Sequence, residues 1–239
     1  MTRTKKLLLT LSAAVAVAAL AGVAVLAVMA MRTPTTVSLT DAVASTQASA
    51  SLPTSASSSP AAGGLTGTWK VVTGSSFVGY RVKEELARVG ATTAVGRTTA
   101  VTGTLTYDGS KITTVEVQAD LSQLASDSSM RDSALRQQAL QTSTYPTATF
   151  ALTQPIAIAA TPAPGAAIDA TAVGNLTLHG QTRPVSIPLQ GTLVDGNVVI
   201  VCSTTVVFAD YGIRQPTAQS VLSIDDRGIL ELQLVFARA

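Results

Sequence analysis

Charged and aromatic residues are scarce in this chain of 239 residues, of which 13% are Asp, Glu, Lys or Arg and 4% are Phe, Trp or Tyr. A nucleic-acid-binding protein usually needs a clustered basic face, so this composition argues against that class of partner. Four of the 16 basic residues and one of the 14 acidic residues precede Gly64, which leaves 12 basic against 13 acidic residues beyond it. The region after Gly64 is therefore nearly neutral, and no strongly charged partner is implied.

Cysteine and histidine occur once each, as Cys202 and His179. A single cysteine excludes an intramolecular disulfide and a cysteine-based metal cluster, and Cys202 lies in the apolar run VVIVCSTTVVF, where we expect a small buried residue. The chain contains no G-x-S-x-G, H-E-x-x-H or P-loop motif. We therefore predict neither a catalytic nor a metal site, and expect His179, which precedes Gly180, to hydrogen-bond the backbone of a turn between two strands. Catalysis or metal binding through this residue is the alternative.

One long hydrophobic run is present near the N-terminus, where residues 7–31 carry no charge and are almost entirely Ala, Val and Leu. A helix that spans a bilayer takes about 20 residues, whereas the apolar region of a secretory signal takes about 7–15. Three basic residues precede the run and one follows it, so the positive-inside rule puts the N-terminus in the cytoplasm. We predict a transmembrane signal anchor over residues 1–32, with the remaining chain extracytoplasmic. Cleavage after Val28-Met29-Ala30, which would release the protein as secreted, is the alternative.

The next segment, residues 33–65, consists mainly of Ser, Thr, Ala and Pro. Such a composition buries too little apolar surface to offset the entropy of ordering it. We predict a disordered linker there. It is followed by a single domain over residues 66–239.

Alternating apolar and polar residues dominate this domain. VTGTLTY and ITTVEVQADL alternate on either side of the turn DGSK, VDGNVV predicts a second tight hairpin, and GILELQLVF alternates near the C-terminus. SSMRDSALRQQAL has helical spacing, and VKEELARVG is a smaller helical candidate. Many short strands with one or two short helices predict an all-β antiparallel barrel or sandwich.

Several motifs in this order resemble the YceI-like family of exported, lipocalin-like proteins. They are GTWKVVTGSSFVGYRVKEEL, VEVQADLSQLASDSSMRDSAL, YPTATF, GNLTLHGQTRPVSI and FADYGI, and together they span Gly67 to Arg238. The resemblance implies an eight-stranded antiparallel barrel with a helix near one end. It also implies an apolar interior that holds one extended lipid, a polyisoprenoid or quinone-like molecule, as the partner in place of a conventional cofactor.

On this fold, alternation places one set of side chains on the inward faces of the strands, and Arg131 of the short helix is expected to face the mouth of the barrel. Three positions depart from the family pattern by losing polar or bulky groups, namely Ala134, Leu140-Gln141 and Phe208. The expected ligand-binding residues are Tyr80, Val101, Leu105, Val117, Arg131, Phe150, Leu176, Leu178, Ile187, Leu189, Phe208, Ile224, Leu232 and Leu234.

Three functions are compatible with this fold. The first is an extracytoplasmic lipid-binding or carrier protein, which the resemblance favours. The second is an envelope interaction module whose barrel is solidly packed. The third is an enzyme acting on a lipid in the cavity, with His179, Asp132 or Asp210 as acid or base. Asp132 also has a purely structural interpretation, because an acidic residue near a helix N-terminus is favoured by the helix dipole.

Overall fold

The computed structural model describes residues 34–50, 64–158 and 164–239. The elements below all belong to one compact unit, residues 36–239. The predicted transmembrane segment lies outside the described residues. Within the described ranges, no helix has both the length and the apolar character needed to cross a bilayer.

The described residues form thirteen strands and two short α-helices. The helices are α1 (Leu39–Ala50) and α2 (Ser129–Ala134), and a π-helical turn, Leu135–Ala139, continues α2. The strands are β1 (Gly67–Val71), β2 (Phe77–Leu86), β3 (Gly90–Thr98), β4 (Val101–Tyr107), β5 (Lys111–Asp120), β6 (Ala125–Ser126), β7 (Thr147–Leu152), β8 (Ile156–Ala157), β9 (Ile168–Leu178), β10 (Gln181–Val194), β11 (Asn197–Val207), β12 (Val221–Ile224) and β13 (Arg227–Arg238).

The strands close into an antiparallel barrel with eight positions around its wall. β1 and β2 share one position, because both pair with β13, β1 through Val71 opposite Phe236 and β2 through Phe77 opposite Gln233. β4 and β3 share the next, since they pair with β1 and β2 respectively. β5, β7, β9, β10, β11 and β13 occupy the other six positions. The expected eight-stranded antiparallel barrel is confirmed.

Residues in the left-handed backbone region form the tight hairpin turns. Asp195 and Gly196 have φ values of +48° and +79° and join β10 to β11, while His179 and Gly180, at +50° and +73°, join β9 to β10. Two consecutive positive φ values characterise the type I′ turn, whose twist matches that of the strands it joins. A Cβ atom at Gly180 would lie 2.6 Å from the Tyr145 ring, so this turn also needs glycine for space.

The short helix predicted from SSMRDSALRQQAL is present as α2 and its π-helical continuation. Ser128 caps the N-terminus by accepting a hydrogen bond from Arg131 N at 3.3 Å. Asp132 is buried and accepts hydrogen bonds from Ser126 N and Ser126 Oγ, at 2.9 and 2.6 Å. These contacts hold the helix against the end of the barrel.

VKEELARVG is not helical, contrary to its helical spacing. Its first half is the end of β2, which pairs with β3 up to Leu86 opposite Gly90, and Ala87–Val89 form the turn. Helical spacing and strand alternation coincide in so short a segment, and the hydrogen bonds to β3 decide in favour of the strand.

The expectation of a disordered linker over residues 33–65 needs correction at Leu39–Ala50, which form α1. Ser38 caps this helix by accepting from Asp41 N at 3.2 Å, and Ala42 is fully buried against the outside of the barrel. The outer surface that it covers is an apolar strip formed by Val199 and Val201 of β11 and Val235 of β13. Composition did not reveal this contact. Small Ala and Ser side chains let a helix pack closely against an apolar strip, but composition does not show whether such a strip lies opposite them.

Candidate functional site

The barrel interior contains a first cavity of about 160 Å³, here called the lower chamber. No charged side chain among the described residues lines it, and the polar residues in this lining are threonines, the Tyr107 phenol, the Trp69 indole and the Cys202 thiol. Dry apolar cavities of this kind accept apolar molecules in preference to water. Its lining includes Trp69, Leu105, Val115, Val117, Phe150, Leu176, Ile187, Leu189, Ile200, Leu232, Leu234 and Phe236.

A second cavity of about 630 Å³, the upper chamber, lies at the other end of the barrel. Strand residues form one side of it, while α2, the π-helical turn and the segment 213–221 contribute the rest. Val78 and Leu230 line both chambers, so the two cavities share a common boundary. The upper chamber is lined by Tyr80, Val82, Glu84, Leu121, Leu124, Met130, Arg131, Leu135, Phe208, Ile213, Arg214, Val221 and Ile224, among others.

The upper chamber contains a small polar cluster. Arg131 donates to Glu84 Oε1 at 2.7 Å and also forms an ion pair with Asp127, while the Glu84 side chain is only 6% exposed. Tyr80 lies beside this cluster, and burial, together with the nearby carboxylates, raises the pKa of its phenol to about 12 even though Arg131 acts in the opposite direction. The phenol is therefore protonated at neutral pH.

Thirteen of the fourteen expected ligand-binding residues line one chamber or the other. Val101 is the exception: it is fully buried in the hydrophobic core and lines neither cavity. It is the first residue of β4, beside the break that separates β3 from β4, so alternation put it on the inward face without exposing it to the cavity. The lower chamber takes Leu105, Val117, Phe150, Leu176, Ile187, Leu189, Leu232 and Leu234, and the upper chamber takes Tyr80, Arg131, Leu178, Phe208 and Ile224.

Sequence reasoning missed Glu84 and the segment 213–221. Glu84 follows Val82 at strand spacing and precedes Leu86, so a lone charge on an apolar face was the available signal. The helical interpretation of this stretch concealed it. The segment 213–221 forms no strand before Val221 and carries no periodic pattern, so only the tertiary structure brings it to the chamber.

The three departures from the family pattern share one location. Ala134, Leu140 and Phe208 all line the upper chamber. Their side chains are apolar, so Tyr80, Ser128, Glu84, Arg131, Arg214 and the polar residues of segment 213–221 supply the polar groups on this side of the cavity.

His179 links the turn between β9 and β10 to the 3₁₀ turn Phe208–Tyr211 at the upper end of the barrel. Its Nδ1 lies 3.0 Å from the carbonyl oxygen of Tyr211 and donates to it, and its ring stands edge-on to Tyr145 with a centroid separation of 4.6 Å. Arg183 donates to the neighbouring carbonyl of Asp210 at 3.0 Å. The expected backbone hydrogen bond is thus present, but its acceptor belongs to the 3₁₀ turn Phe208–Tyr211 and not to the turn of His179 itself.

Cys202 of β11 lines the lower chamber. Burial raises the pKa of its thiol to about 12, so the thiol stays protonated and is a poor nucleophile at neutral pH. Among the described residues, His, Cys, Asp and Glu form no group of three that can hold a metal ion.

Comparison with known proteins agrees with this architecture. The YceI-like domain family matches residues 69–236. A polyisoprenoid binding domain from Saccharophagus degradans, implicated in plant cell wall breakdown, is 15% identical with a TM-score of 0.57, over 72% of this chain and 98% of that one. BcnA of Burkholderia cenocepacia is 16% identical with a TM-score of 0.55, over 69% of this chain and 98% of its own. None of the curated proteins compared with the chain matches it. Because the family match covers well over half of the sequence, this chain belongs to the YceI-like domain family.

Proposed function

We propose that this protein binds and carries a long apolar lipid of the isoprenoid class, a polyisoprenoid or an isoprenoid quinone, inside the barrel. The observation that carries the proposal is the pair of adjoining chambers, one lined by no charged side chain of the described residues and the other containing the Glu84–Arg131 polar cluster. The Saccharophagus degradans domain, whose fold this chain shares, is described as polyisoprenoid binding. A ligand with a long hydrocarbon tail and a small polar end matches both features.

The dimensions of the barrel support an extended ligand. β10 and β13 have 14 and 12 residues, and at about 3.3 Å per residue with a tilt of about 40° such strands give a barrel height on the order of 30 Å. Burial of apolar surface contributes about 25 cal/mol per Å², so a long tail gains affinity without any charged contact. Binding, and not catalysis, is therefore the proposed activity.

We further propose that the barrel works on the extracytoplasmic side of a membrane. The uncharged run at residues 7–31 and the basic residues before it support this location. In this arrangement the first segment anchors the protein and the barrel receives its lipid outside the cytoplasm.

Lipid analysis of the purified protein tests the proposal. We expect the full chain, held in amphipol and not in detergent, to carry a stoichiometric isoprenoid lipid detectable by solvent extraction and mass spectrometry. Added prenols should raise its melting temperature, because a ligand that binds only the folded state stabilises it. Repeated absence of lipid, with no thermal shift, would refute the carrier role and favour the packed interaction module.

Two substitutions at neighbouring positions distinguish the effect of filling the cavity from a general destabilisation of the fold. Ala119 is 2% exposed and lines the lower chamber, whereas Gln118 is exposed on the outer face of the same strand. Ala119→Phe should reduce the amount of co-purified lipid, since the ring occupies the cavity, and Gln118→Phe should leave it unchanged. Equal lipid content in folded samples of both variants would contradict a ligand in the lower chamber.

A further inference from the structure

The Tyr80 hydroxyl is a buried polar group without a hydrogen-bond partner among the described residues. The side chain projects from β2 into the upper chamber, on the same face as Val78 and Glu84. Its ring packs over Gly96 so closely that a Cβ atom there would lie 2.5 Å from a ring carbon. The phenol is thus confined by its surroundings, while no described residue forms a hydrogen bond with its hydroxyl. A buried hydroxyl of this kind usually has a partner.

The positive charge of Arg131, beside Tyr80, is already balanced by carboxylates. Arg131 bonds both Glu84 and Asp127, and the nearby Asp132 is buried and bonded to Ser126. Arg214 also lines the chamber, but its own side chain is exposed. An anion entering the buried part of this cluster would meet carboxylates as well as the guanidinium of Arg131, and would lose its hydration without gaining a cation of its own.

We propose that the upper chamber selects a lipid whose head group is uncharged and presents an oxygen acceptor, a carbonyl or hydroxyl, to the Tyr80 hydroxyl. The inference rests on the proposed lipid-binding function and specifies its ligand class. Tyr80 acts as the donor, and the closed ion pair of Arg131 with Glu84 excludes phosphorylated isoprenoids. The aliphatic tail then continues past Val78 and Leu230 into the lower chamber.

Three probes with twenty-carbon chains test this selection on the full chain in amphipol. They are geranylgeraniol, geranylgeranyl monophosphate and the hydrocarbon phytane, and their affinities are measured by displacement of the apolar fluorophore N-phenyl-1-naphthylamine. We expect the wild-type protein to bind the alcohol about tenfold more tightly than the monophosphate. Equal or tighter binding of the monophosphate would overturn the proposal.

Tyr80→Phe removes only the hydroxyl and keeps the ring against Gly96. It should weaken geranylgeraniol binding by about 3- to 10-fold, the usual loss for one neutral hydrogen bond, and leave phytane binding unchanged or tighter. Tyr145→Phe is the matched control, because Tyr145 lines neither chamber and the substitution keeps its ring against His179. A similar loss of alcohol affinity in both variants, or none in Tyr80→Phe, would refute the role of Tyr80.

Glu84→Gln provides an independent test of the charge argument. The amide keeps the size and an acceptor of the side chain but removes one of the two negative charges that compensate Arg131. We expect the preference for alcohol over monophosphate to shrink by several-fold, with phytane affinity constant. An unchanged preference would contradict the exclusion of phosphate by this cluster. Failure of all three probes to bind any variant would instead refute the lipid-binding function itself.

Discussion

Strands form almost the whole wall of the lower chamber, whereas a short helix and the irregular segment 213–221 close part of the upper chamber. Phe236 in the lower chamber is fully buried, but Met130 at the upper chamber is 79% exposed. The described residues that line the lower chamber carry no charge, whereas the upper chamber contains the Glu84–Arg131 pair. The difference teaches that one end of the barrel is an apolar core walled by strands, whereas the other end brings charged side chains and irregular segments to a larger cavity.

The largest expected effect is a contrast in stability between the two ends. Phe236→Ala should lower the free energy of unfolding by about 3–5 kcal/mol, since it empties a fully buried site. Phe208→Ala, in the upper chamber, removes a half-buried ring and should cost about 1–2 kcal/mol. Urea unfolding of both variants measures the difference, and equal losses would show that the two chambers are equally well packed.

The outer cover of the lower barrel gives the next largest effect. Ala42→Arg places a long charged side chain where α1 meets Val199 and Val235, and should cost about 1–3 kcal/mol through overpacking and loss of the helix contact. Ala44 is exposed on the same helix, so Ala44→Arg should change stability by less than about 0.5 kcal/mol. Thermal unfolding compares the pair. A small effect of Ala42→Arg would mean that α1 contributes little to this wall.

A third prediction uses the thiol of the lower chamber at alkaline pH. The pKa of Cys202 is raised from 9.0 to about 12 in the folded state, so the unfolded chain loses this proton first as the pH rises. The buried thiol contributes its full stabilisation below pH 9 and loses it between pH 9 and 12. The loss amounts to roughly 1 kcal/mol by pH 10.

Unfolding of wild type and Cys202→Ala across this pH range isolates that contribution. The wild-type protein should lose stability more steeply than the variant above pH 9, because only it contains the titrating thiol. Parallel pH profiles would show that the chamber hydrates enough to accept a thiolate. The same result would weaken the contrast between a dry lower chamber and a polar upper one.

The smallest predicted effect concerns the hydrogen bond between His179 and Tyr211 O at the upper end of the barrel. His179→Asn retains a residue type that tolerates positive φ but loses the hydrogen bond to Tyr211 O and the edge contact with Tyr145. We expect a loss of about 0.5–1.5 kcal/mol with lipid binding intact. Loss of lipid binding or of a lipid-dependent activity at unchanged stability would assign this histidine a chemical role.

The inward faces of the strands were predictable because alternation has a period of two and one face of a barrel strand is always inside. This rule placed Leu105, Leu189 and Leu232 correctly, and Tyr80 as well. Val101 also lies in the core, but it lines no cavity, since position on a face does not reveal whether a cavity or packed side chains lie in front of it. The buried ion partner of Arg131 was equally hidden, because Glu84 is 47 residues away in the sequence.

The sequence alone determined the class of fold, the hairpin turns, the short helix and the apolar character of the interior, since each depends on local periodicity or on backbone preferences. Only the tertiary structure decided that α1 covers the outside of the barrel, that the interior separates into two chambers, and that no described residue pairs with the Tyr80 hydroxyl beside a compensated arginine. These features depend on contacts between segments far apart in the chain, and neither composition nor spacing records such contacts.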